Sequence, residues 1–154
     1  MSYFPFFREI EGEKCLVIGG GKVAARKISR LKGFGVKIKV VAPSIVSDIE
    51  AVAQACDNIS VERRIFTPQD IENVDFVIAA AGEEVDKEAT RLCKEKAIPV
   101  NVVDNQELCD FIFPSIVQKG DMGAGFVTGG KSPHVAAKLR LSFRGQDTCQ
   151  RKDR

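Results

Sequence analysis

The sequence lacks several features that would indicate particular classes of protein. Its five cysteines include no C-x-x-C pair and their number is odd, which argues against a disulfide framework and a zinc site and favours reduced thiols. A net charge of +2 gives no reason to expect a nucleic-acid partner. No apolar run approaches the roughly 20 residues of a membrane span, and the first residues lack the basic segment of a signal peptide. We therefore predict a cytoplasmic protein with no metal site and no nucleic-acid or membrane partner.

A glycine-rich turn near the start of the chain organises the rest of the sequence. The apolar run 14–18 is typical of a short buried strand, and residues 22–32 follow a helical pattern. Between them, Gly19, Gly21 and Ala24 form the G-x-G-x-x-A pattern of a dinucleotide-binding turn. This pattern predicts a tight turn whose backbone N–H groups approach a pyrophosphate at the helix N-terminus. A glycine-rich turn that binds no ligand is the alternative interpretation.

Strand and helix patterns alternate through residues 1–110. This alternation predicts right-handed βαβ units and therefore a Rossmann-like α/β domain, in which a parallel sheet has helices on both faces. Thr67 and Pro68 have the residue types of the N-cap and first position of a further helix. The predicted strands after the first are 36–41, 59–65, 74–81 and 98–103, and the predicted helices are 45–56 and 83–97.

The pattern changes after residue 110. Residues 111–117 and 122–127 predict two strands, and the short turn between them requires an antiparallel hairpin. Ser132 and Pro133 are typical of the start of a final helix, which the pattern extends to about Leu141. We predict a small α+β dimerisation region over 111–144, because the apolar faces of the hairpin need cover, and a polar tail over 145–154. The apolar residues concerned are Phe111, Phe113, Ile116 and Phe126.

The end of the second predicted strand leaves the choice between NAD and NADP open. The stretch from Val41 to Ser44 contains no acidic residue for the ribose hydroxyls and no arginine for a 2′-phosphate. Ser44 and the backbone near Pro43 are the groups available to contact an adenosine ribose. A plain turn explains the same residues equally well.

Asp104 is the first candidate for chemistry. It directly follows an apolar strand, at the edge where ligands of an open α/β sheet bind. Partial desolvation in a crevice would make its carboxylate a usable general base. The alternative is that Asp104 caps a short helix formed by residues 105–108.

A second candidate site precedes the final helix. Two glycines before a helix N-terminus form a backbone surface that can hold an anion such as a carboxylate, and Thr128 adds a hydroxyl. The alternative is an ordinary capped helix start. His134, the only histidine, is expected to be solvated rather than to bind a metal or substrate.

Taken together, these stretches resemble the precorrin-2 dehydrogenase / sirohydrochlorin ferrochelatase family, which includes the N-terminal module of bifunctional siroheme synthases. The set as a whole is specific, whereas the glycine motif alone is not. The matching stretches follow the family order over nearly the whole chain: Phe4-Pro-Phe-Phe7, residues 14–24 with Arg26-Lys27, Val40-Val-Ala-Pro43, Asn101-Val-Val-Asp104, Phe111-Ile-Phe-Pro-Ser-Ile-Val117 and Thr128-Gly-Gly-Lys-Ser-Pro133.

The resemblance implies NAD⁺-dependent oxidation of precorrin-2 to sirohydrochlorin, on the route to siroheme or cobalamin. Some family members also insert iron or cobalt, so Fe²⁺ or Co²⁺ would be a chelatase substrate, and members form homodimers. The family's catalytic aspartate falls on Asp104. The expected cofactor contacts are Gly19, Gly20, Gly21, Lys22, Val23, Pro43, Ser44, Ala80 and Ala81, and the expected substrate contacts are Asn101, Thr128, Gly129, Gly130, Lys131 and Ser132.

Two departures from the family pattern and one alternative function accompany this hypothesis. Family members usually continue into a longer helical C-terminal domain that helps to wall the tetrapyrrole site, whereas this sequence ends at Arg154. Gly123 and Gly125 stand where the family strand is usually aliphatic, which predicts a weaker or bulged strand. The alternative function is a non-catalytic module that senses NAD(H) or another nucleotide through the same turn.

Overall fold

The computed structural model describes residues 4–120, 122–129 and 132–145. Two compact units divide the chain: the larger is Phe7–Ile112, and the smaller contains the described residues from Phe113 onward together with residues 4–6. Apart from Gly145, the predicted polar tail lies outside the described residues, as do Gly130 and Lys131 of the predicted substrate site.

The larger unit is a parallel five-stranded sheet with strand order β3-β2-β1-β4-β5. Short 3-10 turns connect some of its elements, at Lys32–Phe34, Pro68–Ile71 and Gln106–Leu108. The alternating order confirms the Rossmann-like prediction. The elements are β1 Lys14–Ile18, α1 Lys22–Leu31, β2 Lys37–Val41, α2 Ser47–Ala55, β3 Ile59–Glu62, β4 Phe76–Ala79, α3 Glu83–Glu95 and β5 Val100–Val102.

The direction of the connections gives the sheet a covering on both faces. The chain moves from β1 to β2 through α1 and from β4 to β5 through α3, which are opposite directions across the sheet. Right-handed crossovers therefore place α1 and α3 on opposite faces. Alternate strand residues such as Leu16 and Ile18 pack with Ala89 and Cys93 of α3, whereas Val17 is buried on the α1 side. Because the connections leave β1 and β4 in opposite directions, the carboxyl ends of these neighbouring strands form the topological switch point.

The segment from β3 to β4 contains less regular secondary structure than the sequence pattern predicts. The strand predicted for residues 59–65 ends at Glu62, and the helix predicted from Thr67 is a single 3-10 turn. Asp70 closes this turn by accepting the backbone N–H of Thr67 at 2.9 Å. The predicted N-cap is therefore correct, but a buried polar cluster replaces a full helix.

Asp70 is a buried carboxylate held by several donors. Its side chain is 3% exposed and accepts hydrogen bonds from Arg64 Nη1 at 2.7 Å and Lys39 Nζ at 3.1 Å. Hydrogen bonding from Arg64, with further help from Thr67 and Lys39, holds the pKa of Asp70 well below its usual range, although burial opposes this. The cluster ties the turn to β2.

Replacing Asp70 by asparagine is expected to lower the free energy of unfolding by about 1–3 kcal/mol at neutral pH, because a charged acceptor of several hydrogen bonds is lost. The native pKa lies below the unfolded value, so this stability is complete above about pH 4 and is lost as the pH falls through the native pKa. Urea unfolding of both proteins at several pH values measures the difference. Asp57→Asn, at an exposed turn position, is the matched control. A difference that persists undiminished at the lowest accessible pH would contradict the assignment.

The smaller unit combines a hairpin and a helix. Its elements are β6 Ser115–Lys119, β7 Met122–Phe126 and α4 Pro133–Gly145. The two strands pair antiparallel from Ser115 opposite Phe126 to Lys119 opposite Met122, without interruption. Gly123 and Gly125 therefore sit in a regular ladder without a bulge. The alternative, that the glycines weaken this strand, stays a prediction.

Helix α4 covers the hairpin, and its boundaries differ from the expected ones at one end. Phe143 of α4 contacts Phe126 with ring centroids 5.6 Å apart. The helix begins at Pro133 as predicted and continues beyond Leu141. The strand predicted from residue 111 begins only at Ser115, because Phe111 packs edge-on against Phe76 in the larger unit.

None of the described helices is both long enough and apolar enough to span a lipid bilayer.

Candidate functional site

The three glycines after β1 have different surroundings. Gly19 has φ +117°, and a Cβ there would lie 2.2 Å from the carbonyl oxygen of Ala80. A Cβ on Gly20 would lie 2.1 Å from the carbonyl oxygen of Ser44. At Gly21 no atom lies within 4 Å of the corresponding position. The first two glycines therefore allow neighbouring loops to pack, and Gly21 faces open space.

The N-terminus of α1 is available to an anion. Gly21 is its N-cap, no side chain caps the helix, and its first turn contains no acidic residue. The backbone N–H groups at this end therefore keep their donor capacity, and the helix dipole adds a partial positive charge. This is the arrangement that binds pyrophosphates in dinucleotide-binding folds.

The N-terminus of α3 is different, because its first turn is acidic. Asp86 accepts the backbone N–H of Ala81 at 2.9 Å and that of Gly82 at 3.3 Å. The first turn of α3 also carries further acidic side chains, Glu83 and Glu84. An anionic ligand would therefore be repelled at α3 and attracted at α1.

A cleft of about 520 Å³ lies at the carboxyl edge of the sheet and joins these elements. It contains the start of α1, the start of α3 and the residues that follow β5, as expected for the switch point of an open sheet. Its lining residues are Gly21, Lys22, Val23, Ala24, Ala80, Gly82, Glu83, Asp86, Lys87, Val102, Val103, Asp104, Asn105 and Leu108.

Asp104 lies in this cleft with an unusual backbone. Its φ is +62°, in the left-handed region that non-glycine residues rarely adopt. The following 3-10 turn has Asn105 as its N-cap and no side-chain capping bond, so the geometry does not support the helix-cap alternative. Asp104 is exposed, however, and the expected desolvation is not present in the free domain. A retained strained conformation at a cleft favours a functional role.

The turn that carries Asp104 is tied back onto β5. The backbone N–H of Val102 donates to Cys109 Sγ at 3.1 Å, and the thiol lies 3.2 Å from the carbonyl oxygen of Val102 and 3.3 Å from that of Asn105. Asp110 adds a further tie by accepting the N–H of Val100 at 3.0 Å. Both ends of the turn are thus fixed, which limits the freedom of Asp104 between them.

Asn101 is not part of the cleft lining. It is 4% exposed. Its Oδ1 accepts a hydrogen bond from Lys27 Nζ at 2.6 Å, and its Nδ2 donates to the carbonyl oxygen of Phe111 at 2.8 Å. Burial lowers the pKa of Lys27 to about 8, while Cys109 and Asp104 act in the opposite direction.

Asp86 is a titratable cleft residue that sequence reasoning missed. It is 5% exposed, and burial raises its pKa, an effect that the charge of Asp104 increases and the N–H groups of Ala81 and Gly82 oppose. The helical pattern of the sequence could have indicated that Asp86 is buried, since it lies three residues before Ala89 on the buried stripe of α3. A carboxylate at such a position needs partners, and here the loop before the helix supplies them.

The structure brings some of the predicted site residues together. Those in the cleft lining are Gly21, Lys22, Val23, Ala80 and Asp104. Gly19, Gly20, Pro43, Ser44, Ala81 and Asn101 belong to the same unit without forming part of the lining, and Thr128, Gly129 and Ser132 belong to the smaller unit. Among residues 4–120, 122–129 and 132–145, no group of three or more His, Cys, Asp or Glu side chains is arranged to hold a metal ion.

Comparison with known proteins agrees with this geometry. Residues 6–115 match the NAD_binding_7 family, whose description is NAD(P)-binding. The chain belongs to this family. The chain is also 40% identical over 141 residues to siroheme synthase from Thioalkalivibrio sulfidiphilus. The aligned residues cover 91% of this chain and 29% of that protein.

Other relatives extend the comparison. The siroheme synthase of Nitrosomonas eutropha is also 40% identical over 141 residues, which are 91% of this chain and 30% of that protein. The chain thus spans about 30% of the length of these curated relatives. The solved structure of SirC, precorrin-2 dehydrogenase, superposes with a TM-score of 0.73 at 22% identity and covers 92% of this chain and 69% of that one. The resemblance predicted from the sequence motifs is confirmed by the siroheme synthases, and the fold is confirmed by SirC.

Proposed function

We propose that this chain is a precorrin-2 dehydrogenase that uses NAD⁺ and forms sirohydrochlorin in siroheme biosynthesis. The observation that carries the proposal is one cleft that contains both the open N-terminus of α1 and the carboxylate of Asp104. The siroheme synthase relatives and the fold shared with SirC support the same substrate class. Sirohydrochlorin is also an intermediate on the route to cobalamin, and the later use of the product would decide between the two routes.

The residues at the cleft fit a dinucleotide. The open space at Gly21 and the uncapped first turn of α1 suit a pyrophosphate, with Lys22 as a nearby cation. NAD⁺ bound there would supply a hydride acceptor. Pro43 and Ser44, next to Gly20, are the residues proposed to contact the adenosine ribose.

Asp104 is proposed to remove the proton that accompanies oxidation. Formation of sirohydrochlorin takes a hydride from carbon and a proton from nitrogen, and a carboxylate at the cleft can accept the proton. In the free domain Asp104 is exposed, so the macrocycle itself would have to displace water from the carboxylate. If the chain also inserts Fe²⁺ or Co²⁺ as substrates, the same carboxylate would take the pyrrole protons.

The residues before α4 are proposed to bind substrate carboxylates. Thr128 and Gly129 precede the helix, and the carbonyl oxygen of Ser132 accepts the N–H of Val135 at 3.1 Å as an N-cap residue does. Precorrin-2 carries many carboxylates, which suit a helix N-terminus, and Lys131 shortly precedes this helix in the sequence. Gly130 belongs to the same proposed contact set.

We propose that residues 111–144 form a homodimer interface and that residues 1–110 form the nucleotide-binding domain. In the smaller unit, apolar side chains remain exposed on both the hairpin and the helix, and a second copy of the chain would cover them. A cytoplasmic location fits the free thiols of the described cysteines, and the proposal includes no nucleic-acid or membrane partner. The exposed apolar residues are Met122, Val127, Val135, Leu139, Leu141 and Phe143. The four residues that the sequence indicated are instead half-buried: Phe111, Phe113, Ile116 and Phe126.

Light scattering at micromolar concentration is expected to show a dimer. Met122→Lys should raise the monomer fraction, since Met122 is 71% exposed on β7 and a lysine would place charge in the proposed interface. Ile65→Lys is the matched control, because Ile65 is equally exposed at 71% but belongs to the larger unit. A parent protein that is monomeric, or an Ile65 variant that dissociates as readily, would contradict the proposed interface.

The proposed activity is tested by incubating the chain with precorrin-2 and NAD⁺ under anaerobic conditions while following absorbance. Formation of sirohydrochlorin together with reduced cofactor supports the dehydrogenase. Parallel reactions with NADP⁺ decide the cofactor, and reactions with Fe²⁺ or Co²⁺ reveal chelation. Saturable NAD⁺ binding without any turnover would favour the second candidate, a nucleotide-sensing module.

A further inference from the structure

A partly buried contact connects the cofactor-binding helix to the strand that leads to Asp104. Lys27 lies on α1, the helix that begins at Gly21, and its Nζ donates to Asn101 Oδ1 on β5 at 2.6 Å. We infer that Lys27 is a positioning residue that fixes the Asp104 turn, through Asn101, relative to the cofactor-binding end of α1. This inference rests on the proposed function for its effect on rate.

The hydrogen bonds of Asn101 fix its orientation. A lysine ammonium can only donate, so Oδ1 must face Lys27, and the carbonyl oxygen of Phe111 can only accept, so Nδ2 must face Phe111. A weaker contact runs from Nδ2 to Cys109 Sγ at 3.5 Å. Asn101, which precedes the Asp104 turn, is thus joined to Cys109 and Phe111, which follow it.

The topology explains why this contact can act on Asp104. Val100 and Val102 of β5 face the core on the α3 side, so Asn101 faces the α1 side. Only two residues separate Asn101 from Asp104, and Cys109 holds the backbone at Val102 between them. A shift of Asn101 would therefore pass directly into the backbone that holds Asp104 at φ +62°.

Burying a lysine amine has a cost that an apolar residue would avoid. Burial lowers the pKa of Lys27 to about 8, and Arg30 and Arg26 on the same helix lower it further, whereas Cys109 and Asp104 raise it. An aliphatic side chain of similar length would fill the same volume without that cost. Such an aliphatic side chain could not donate the hydrogen bond that orients Asn101. This hydrogen bond is the contribution that we assign to Lys27.

The test replaces Lys27 by methionine, which has a similar reach and no donor. The kcat for precorrin-2 oxidation is expected to fall by about 10²-fold, because a small misplacement of a reacting group has effects of this size. The affinity for NAD⁺ should not change, since Lys27 lies outside the cleft lining. Arg26→Met is the matched control, because it removes the same charge from an exposed position of the same helix and should leave kcat unchanged.

A double-mutant cycle with Asn101→Ala separates positioning from a general loss of charge. If Lys27 acts through Asn101, the double variant should be no slower than the slower single variant. Multiplicative effects of the two substitutions on kcat would overturn the inference, and so would a Lys27→Met enzyme with the kcat of Arg26→Met. If Lys27→Met does not fold, Lys27→Leu, which also lacks a donor, takes its place with the same expected and contrary results.

Amide hydrogen exchange provides a readout that needs no turnover. Exchange over residues 102–105 should be faster in Lys27→Met than in the parent or in Arg26→Met, because the turn is less restrained. Unchanged exchange at these residues would overturn the inference even in an active enzyme. A parent chain that fails to oxidise precorrin-2 would instead count against the proposed function, and the exchange measurement would still decide the role of Lys27.

Discussion

Asp104→Asn is expected to slow precorrin-2 oxidation by about 10²–10⁴-fold while NAD⁺ binding remains intact. Asparagine has nearly the same shape as aspartate but cannot accept the proton. It also tolerates the left-handed backbone that Asp104 adopts at φ +62°, so the turn should keep its conformation. Steady-state kinetics with precorrin-2, together with calorimetric titration of NAD⁺, measure the two effects separately.

The comparison with Asp104→Ala sharpens this prediction. Alanine removes the carboxylate and also places a less tolerant residue at a positive φ, so its unfolding free energy should fall while that of the asparagine variant should not. Both variants should be slow. If Asp104→Asn turns over precorrin-2 at the parent rate, Asp104 has a structural role and the catalytic assignment is wrong.

Gly21→Asp is expected to abolish NAD⁺ binding in a chain that remains folded. A side chain at this position meets no protein atom within 4 Å, so it would project into the space assigned to the pyrophosphate. Its carboxylate would repel the phosphates and would compete for the N–H groups of α1. Calorimetry with NAD⁺ and thermal unfolding of the same sample measure the two parts of the prediction.

Gly20→Ala is the matched comparison for this variant. Its added methyl group would lie 2.1 Å from the backbone oxygen of Ser44, so the loop after β2 would have to move. Loss of stability is therefore expected at Gly20, and loss of binding without loss of stability is expected at Gly21. Unchanged NAD⁺ affinity in Gly21→Asp would remove the dinucleotide interpretation of the cleft.

The fold could be predicted from the sequence wherever burial produces a clear period. The apolar runs that became β1 and β4 and the stripe of α3 were correct in type, because each element buries one face or both. The helix predicted to begin after Thr67 is limited to one 3-10 turn for a physical reason. The carboxylate of Asp70 is held by Arg64 and Lys39 instead of facing solvent from a helix. A single-sequence pattern does not encode the pairing with Lys39, which lies 31 residues away in the sequence.

The candidate site was predictable where local chemistry defines it. The glycine turn and the strand end at Asp104 both follow from short motifs, and both lie in the cleft. Asp86 was missed because its partners are backbone N–H groups, which every sequence contains. The contact between Lys27 and Asn101 spans 74 residues, so no local pattern could indicate it.

A crystal structure of the chain with NAD⁺ bound tests the central claim most directly. The account predicts that the pyrophosphate oxygens accept hydrogen bonds from the backbone at the start of α1, against Gly21, and that the nicotinamide ring lies beside Asp104. NAD⁺ bound at another surface, or bound at Gly21 with the nicotinamide directed away from Asp104, would contradict it.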